Sequence, residues 1–315
     1  MEPASIAVIG AGISGLSCAR RLSEAGWRVT IFEKSRSLGG RCASRRWEGN
    51  VVDHGAQYFT IRDGKFQQEL EKCCGNSLQR LAAPVVDRRG AAAGEAGERW
   101  YHREGNNRIG KNLLGDLPVI MEAKISRIVP RGGLWIVGDF SFDAVVSSAP
   151  LPQSLALAGL SAETPGFAPC LTAFFSYRGD WAGDTSACYA RRDPDSALAW
   201  SACENHKTGR IQPGQTVIVA QASAAFSVQH LEDDPAEWLP HLQALVEDEW
   251  RLSPAGRISQ FSHRWRYARF QGSAPLPELP KGFHLTGDAL TESRVESAWL
   301  AGQATARQIL AGAHS

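Results

Sequence analysis

Gly10-Ala11-Gly12-Ile13-Ser14-Gly15 stands between an apolar run, Ser5 to Ile9, and a stretch of helical periodicity from Ser14 to Ala25. Leu16, Ala19 and Leu22 share one face of that stretch, and Gly26 supplies its stop. A second apolar run, Val29 to Phe32, ends at Glu33, 23 residues after Gly10. The pattern predicts a strand–helix–strand unit built to hold a dinucleotide. Gly10 permits the tight turn, Gly12 lets backbone approach a pyrophosphate, and Gly15 lets helix pack on strand. The helix N-terminus offers unpaired N–H groups to phosphate charge. A carboxylate at position 33 accepts the hydroxyls of a ribose and repels a 2′-phosphate, which disfavours NADP in this slot.

Six residues past Glu33 comes Gly39-Gly40-Arg41. A simple nicotinamide site has no need of it; a cofactor whose second half runs beyond the strand does. Then follows Asp53-His54-Gly55-Ala56-Gln57-Tyr58-Phe59. By residue type, Gly55 and Ala56 allow backbone to approach a flat ring, Gln57 can bond a ring edge, and Asp53 with His54 can form a charge-assisted pair. Near the far end of the chain, Phe283 to Thr286 reads as a strand running into Gly287-Asp288, and Arg294-Val295-Glu296-Ser297-Ala298 opens a helix. Ser262-His263-Arg264-Trp265-Arg266-Tyr267-Ala268 offers a large aromatic wall with cations.

With these motifs together the chain resembles the flavin-containing amine-oxidase superfamily, and within it the renalase-like flavoproteins. The resemblance rests on GAGISG, Glu33, GGR, DHGAQYF, HRWRYA and the Gly-Asp turn. It implies non-covalent FAD. The implied contacts are Gly10, Gly12, Ile13, Ser14, Gly15, Glu33, Lys34, Gly39, Gly40, Arg41, His54, Gly55, Ala56, Gln57, Ile125, Gly287, Asp288, Arg294, Val295 and Ala298. In similar folds the segment at 53–59 runs beside the flavin, the Asp of Gly-Asp meets the ribityl chain, and the last helix points its N-terminus at the N1–C2=O edge. The implied activity is hydride removal from aberrant dihydronicotinamide isomers (2- or 6-dihydro-NAD(P)), with O2 as acceptor and H2O2 as product. Gln57, Trp265 and Tyr267 are the expected substrate-face residues. Asn205-His206-Lys207-Thr208-Gly209-Arg210 also has a counterpart there, with Thr208 in place of Pro. Two alternatives stay open: an oxidase of a small amine, and a redox-quiet FAD-binding protein.

The elements that must position these groups are legible in outline. Residues 66–72 and Arg108 to Leu117 read as helices, Val119 to Val129 as a strand, Trp135 to Val137 as half of a hairpin turned by Gly132-Gly133, and Asp143 to Ser148 as a short buried strand. Farther on, Leu171 to Tyr177, Leu198 to Ala202 and Thr216 to Ala222 read as strands. Trp238 to Arg251 and Ser293 to Leu310 read as helices. The expected fold is α/β: a Rossmann-like FAD-binding domain (1–65, 103–150 and 282–315) with an inserted substrate domain of mixed β-sheet plus helices (66–102 and 151–281).

Composition limits the function classes. The net charge of +1 gives no electrostatic case for nucleic acid or a membrane surface. Seven scattered Cys without a Cys-x-x-Cys pair argue against a zinc site or a disulfide reductase and fit a reducing compartment. Ile6 to Ile9 reads as a strand entering a glycine turn, not as a signal peptide, and no apolar run is long enough to span a bilayer. A cytoplasmic enzyme acting on a small molecule, with no metal, is expected; oligomeric state is left open.

Overall fold

The computed structural model describes residues 3–93, 97–161, 166–179, 187–272, 276–287 and 290–312. The chain opens β1 (Ser5–Ile9), α1 (Ile13–Glu24), β2 (Arg28–Phe32), β3 (Ser44–Trp47), β4 (Asn50–Asp53), β5 (Phe59–Thr60), α2 (Gly64–Cys74), β6 (Leu78–Leu81), β7 (Val85–Asp87) and β8 (Arg99–His102). It continues through α3 (Asn107–Leu114), β9 (Val119–Ile120), β10 (Ile128–Arg131), β11 (Leu134–Val137), β12 (Phe140–Phe142), β13 (Ala144–Ser147) and α4 (Leu151–Leu157). Then come β14 (Phe167–Arg178), β15 (Ala190–Arg192), β16 (Leu198–Cys203), β17 (Gln215–Ala222), α5 (Ala224–Gln229), α6 (Pro235–Trp250), β18 (Arg257–Phe270), β19 (Phe283–Leu285) and α7 (Val295–Gly312).

The nucleotide-type half is a parallel sheet in the order β19-β13-β1-β2-β9. Because side chains alternate along a strand, β1 feeds two cores. Ile6 and Val8 join Leu16 and Leu22 of α1 and Trp299 of α7 on one face, while Ala7 and Ile9 join Trp135 and Phe142 of the β10–β12 meander on the other. Burial on both faces explains why β1 is a continuous apolar run. Chain start and chain end meet here, with β19 beside β13 and α7 against α1.

The second sheet runs β18-β14-β17-β16-β15-β7 and is antiparallel except for the β15–β7 pair. Phe174 and Phe175 point to opposite faces. Phe175 packs with Trp238, Leu242 and Trp250 of α6, and Phe174 with Val52 of β4 and Val217. The β3–β4 hairpin therefore presses on the underside of the second sheet. Asp234 caps α6, its carboxylate accepting the Ala236 N–H with Pro235 at the first helical position.

Two expectations differ from the structure. The strand foreseen over Val119 to Val129 is two short strands, since Glu122 takes a left-handed φ of 55°. The intervening chain instead bonds the end of β2, with the Ala123 N–H donating to the Glu33 carbonyl. Ile125 lies in this connection, half-buried against the second of the two cores around β1. The boundary drawn at residue 66 also cuts across packing: Phe66 and Leu70 of α2 are buried with α1 and Trp299, whereas β7 pairs with β15. No helix among the described residues is long and apolar enough to cross a membrane, and the described residues contain no His/Cys/Asp/Glu cluster able to hold a metal ion.

Candidate functional site: a glycine cradle beside a ring-lined edge strand

The glycines of the first turn divide into two kinds. A Cβ on Gly15 would lie 2.2 Å from the Gly10 carbonyl oxygen, so protein packing alone demands glycine there. A Cβ on Gly12 would meet nothing within 4 Å, and its φ of −74° suits any residue. Nothing among the described residues requires Gly12 to be small, and the space beside it is open. Gly12 is also the N-cap of α1, with no side-chain cap and no acid in the first turn. The first-turn N–H groups, at Ile13, Ser14 and Gly15, are a ready seat for an anion.

Glu33 fixes the far side of this seat. It is buried, with Oε2 accepting the Ala11 N–H at 2.7 Å and Oε1 accepting the Ser35 N–H at 2.8 Å and hydroxyl at 2.7 Å. A carboxylate has about four acceptor positions, so this one is oriented yet not saturated. Lys34 beside it is exposed. The Gly39 N–H donates to the Ala11 carbonyl and Gly40 lies against Gly12, which brings the second glycine cluster onto the first. Arg41 reaches across to the second sheet, its Nη1 donating to the Ala268 carbonyl at 3.3 Å.

The 53–57 segment follows the same loop. The Ala56 N–H donates to the Arg41 carbonyl, and a Cβ on Gly55 would come within 2.1 Å of that oxygen. From the second sheet, Gln221 Nε2 donates to the Gly55 carbonyl at 3.0 Å and Trp265 Nε1 to the His54 carbonyl at 2.9 Å. The His54 ring is stacked on Trp265, with centroids 5.6 Å apart at 23°, and meets His263 edge-on at 5.0 Å and Phe261 at 6.0 Å. Phe261, His263 and Trp265 are spaced by two along β18 and so line one face of that edge strand. Burial, then the neighbouring His263, push the His54 imidazole down to about 4. Burial and Arg45 lower His263 as well. Both rings are neutral at physiological pH. His54 Nδ1 is buried with no hydrogen-bond partner among the described residues, a cost unless a ligand or water meets it.

Several sequence expectations are revised. Asp53 does not pair with His54. Its carboxylate faces the other way, onto Lys207 Nζ at 2.7 Å and Arg210 Nη1 at 2.5 Å, with the Asn106 N–H at 3.0 Å on its second oxygen. Glu204 completes the group, 2.6 Å from Lys207 and 3.4 Å from Arg210, and all four side chains are fully buried. Burial alone would raise the Asp53 carboxyl; Arg210 and Lys207 overcome it and hold it well below the usual carboxylate range. Lys207 and Arg210 of the Asn205–Arg210 motif thus form a buried clamp on β4, while Thr208 and Gly209 between them are exposed. Gln57 is likewise turned inward: its amide nitrogen donates to the Asp53 and Gly55 carbonyls and its oxygen accepts from the Tyr189 hydroxyl at 3.4 Å. Trp265 and Tyr267 are separated by a bulge, where the ladder jumps from Cys170–Trp265 to Ala168–Arg269. Trp265 reaches the 53–57 segment, while Tyr267 packs edge-on against Phe167 at 5.5 Å.

At the chain's end, Arg294 Nη2 donates to the Thr60 hydroxyl at 2.6 Å, and the buried Glu296 carboxylate accepts the Arg62 and Asp63 N–H groups. These bonds tie the start of α7, with Val295 and Ala298 half-buried, to the strand that follows the 53–57 segment. Gly287 is described; Asp288 lies outside the described residues. Phe261 and Gln221 were not foreseen, and His263 stood in the aromatic segment without being singled out. The aromatic alternation at 261, 263 and 265 is the signal that would have found Phe261 and His263.

Comparison with known proteins agrees with this geometry. Residues 8–72 match the NAD(P)-binding Rossmann-like domain, and residues 81–310 match flavin containing amine oxidoreductase. The second match covers most of the chain, and the chain belongs to the flavin-containing amine oxidoreductase family. Among curated proteins it is similar to a phytoene desaturase of Fusarium fujikuroi, 40% identical over 74 residues, 24% of this chain and 13% of the relative. It also resembles a 4,4'-diapophytoene desaturase (4,4'-diaponeurosporene-forming) of Staphylococcus haemolyticus, 43% identical over 58 residues, 18% of this chain and 12% of the relative. The likeness thus spans only a small part of either desaturase. In fold the chain resembles reduced UDP-galactopyranose mutase (TM-score 0.80, 11% identity, 100% of this chain and 95% of that one). It likewise resembles putrescine oxidase bound to putrescine (TM-score 0.71, 12% identity, 98% and 99%).

The residues present fit the flavin that this family carries. The space beside Gly12, the uncapped N-terminus of α1 and the unpartnered His54 Nδ1 each leave room or bonding capacity that protein atoms do not use.

Proposed function

We propose that the chain is a cytoplasmic FAD-dependent oxidase that takes a hydride from dihydronicotinamide isomers of the 2- or 6-dihydro-NAD(P) kind. The observation that carries this reading is the wall of neutral rings, His54, Phe261, His263 and Trp265, beside the glycine segment, with Arg45 over Phe261 the charged group against it. Non-covalently bound FAD supplies a two-electron acceptor at such a site, with O2 the oxidant that regenerates it and H2O2 the product. The N-terminal amides of α1 would hold its pyrophosphate, Glu33 its ribose, and the backbone at Gly40, Arg41, Gly55 and Ala56 its ring system.

A dihydronicotinamide releases hydride by the push of its own ring nitrogen, so the protein needs to stack and orient it more than to move a proton. Flat neutral rings do that and exclude water. Amine oxidation would gain from a lysine able to reach the reacting centre through water. Lys207 is instead sealed between Asp53 and Glu204, which supports the nicotinamide reading over the amine.

Anaerobic mixing of the flavin-loaded protein with 2- or 6-dihydro-NAD is expected to bleach the flavin absorbance faster than mixing with primary or secondary amines. Bleaching by amines alone moves the protein to the amine oxidases. Reduction by none of them favours a redox-quiet flavoprotein. Acid precipitation is expected to leave the flavin in the supernatant, as non-covalent binding requires.

A further inference from the structure

A cavity of about 310 Å³ lies between the 36–38 loop, the β3–β4 hairpin, the start of α3 and β9. None of the cradle residues Gly10 to Gly15, Gly40, Gly55 or Ala56 lines it. Five basic residues line it, Arg36, Arg45, Arg46, Arg108 and Lys111, against one acid, Glu104, with the Arg45 guanidinium turned to the Phe261 ring. In a chain whose net charge is +1, such an imbalance in one hollow is a local device, not a reflection of composition. Glu104 is already taken by Arg108 at 3.1 Å, and Arg45 lies over the Phe261 ring at 4.2 Å. Arg36, Arg46 and Lys111 make no ion pair among the described residues.

Glu104 is the one acid lining the hollow and it is engaged by Arg108, so the remaining like charges repel and the hollow gains stability when an anion enters. Leu38, Val51 and Met121 give it an apolar floor. The volume falls in the range of about 300–1,000 Å³ typical of small-molecule sites. A concave basic rim over an apolar floor suits a ligand with clustered negative charge on a flat, weakly polar body. Arg108 and Lys111, three apart on α3, present both cations on one side of the helix.

We propose that this cavity is a second nucleotide site, distinct from the cradle, that binds a nucleoside diphosphate through its phosphates. Arg45 borders both: the residue lines the cavity, and its guanidinium lies over Phe261, whose ring is 6.0 Å from His54. The site does not depend on which substrate the wall accepts.

The test is isothermal titration of the flavin-loaded protein, whose cradle is already filled, with ADP, inorganic pyrophosphate and adenosine. ADP and pyrophosphate are expected to bind saturably at one site and to weaken as KCl is raised; adenosine is not. The double variant Arg46→Gln/Lys111→Gln is expected to lose at least about tenfold in ADP affinity, since each lost charge-assisted bond is worth about that factor. Its flavin content and urea midpoint are expected to match the parent's, which separates a lost site from a lost fold. Absence of ADP binding, adenosine binding as tightly as ADP, or an affinity unchanged in the double variant would each overturn the proposal.

Discussion

Asp53 and His54 are neighbours in the chain and opposites in environment. Asp53 closes β4 inside a group of two acids and two cations, every charge matched and every side chain buried. His54 turns to the other side, among rings, with a nitrogen that nothing among the described residues satisfies. The first is what a fold does with charge it must bury: pair it until no bonding capacity is left. The second is what a fold does where something else is to be bound, since an unsatisfied buried group persists only if a partner compensates it. Between these two neighbours, saturation goes with structure and unused capacity with the candidate site.

The sharpest way to break this contrast is to unbalance the saturated side. Asp53→Asn leaves Lys207 and Arg210 with one carboxylate between them, and a broken buried pair costs about 3–5 kcal/mol. Urea unfolding is expected to show a loss of that order, with flavin uptake falling only as the folded fraction falls. A variant of parent stability that binds no flavin would instead put Asp53 in the site.

The unsaturated side predicts an acid response. His54 sits at about 4 when folded against an ordinary 6.5, so the unfolded chain takes up its proton first. Its contribution to stability is complete above pH 6.5 and is lost as pH falls towards 4, by at most about 3 kcal/mol. His263, Arg45 and Asp53 are the charges that bear on it. His54→Phe is expected to flatten the stability–pH slope between 6.5 and 4 while leaving the slope above pH 7 unchanged. An unaltered slope would mean that the ring is solvated.

What was legible from sequence follows the same division. The βαβ unit, Gly10 to Gly15, Glu33 and the terminal helix were readable because their partners lie within one supersecondary unit or repeat a periodic face. The Asp53 group was not, because Lys207 lies 154 residues away and a sequence cannot say which cation finds which acid. Residue type suggested Asp53 with His54, yet Asp53 is the last residue of β4 and the chain bends at His54, so the two side chains part. β18 escaped notice as a strand because Arg264 and Arg266 alternate with its rings and leave no continuous apolar run. At a sheet edge those side chains reach solvent or backbone, Arg264 donating to the Asp233 carbonyl.

Glycines give the contrast a smaller but cleaner test. Gly55→Ala forces a Cβ to within 2.1 Å of the Arg41 carbonyl, and such overpacking costs about 1–3 kcal/mol. Gly12→Ala meets no protein atom. It is expected to keep the parent's unfolding midpoint and to lose at least about tenfold in flavin affinity, because the methyl group occupies space left for phosphate and the nearby amides then bond it poorly. Unchanged flavin affinity in Gly12→Ala would remove the argument from unused space.

The mildest perturbation separates the two tasks of Trp265. Its indole N–H holds the His54 carbonyl, and its ring stacks on the imidazole. Trp265→Phe keeps an aromatic face and removes the bond, so stability is expected to fall by about 1 kcal/mol, the net worth of one hydrogen bond. Positioning is more demanding than stability: a backbone freed at His54 no longer sets Gly55 and Ala56 against the ring system they would carry, and orientation errors near 1 Å are costly in rate. Single-turnover flavin reduction by the preferred donor is expected to slow by more than the stability change accounts for, roughly ten- to a hundredfold, with the donor's binding constant altered less. Trp265→Tyr is expected to behave as Trp265→Phe, since its hydroxyl lies elsewhere. A slowing seen only in donor affinity would make Trp265 a binding surface and leave the alignment of the 53–57 segment to Gln221, which holds the Gly55 carbonyl from the adjacent strand β17.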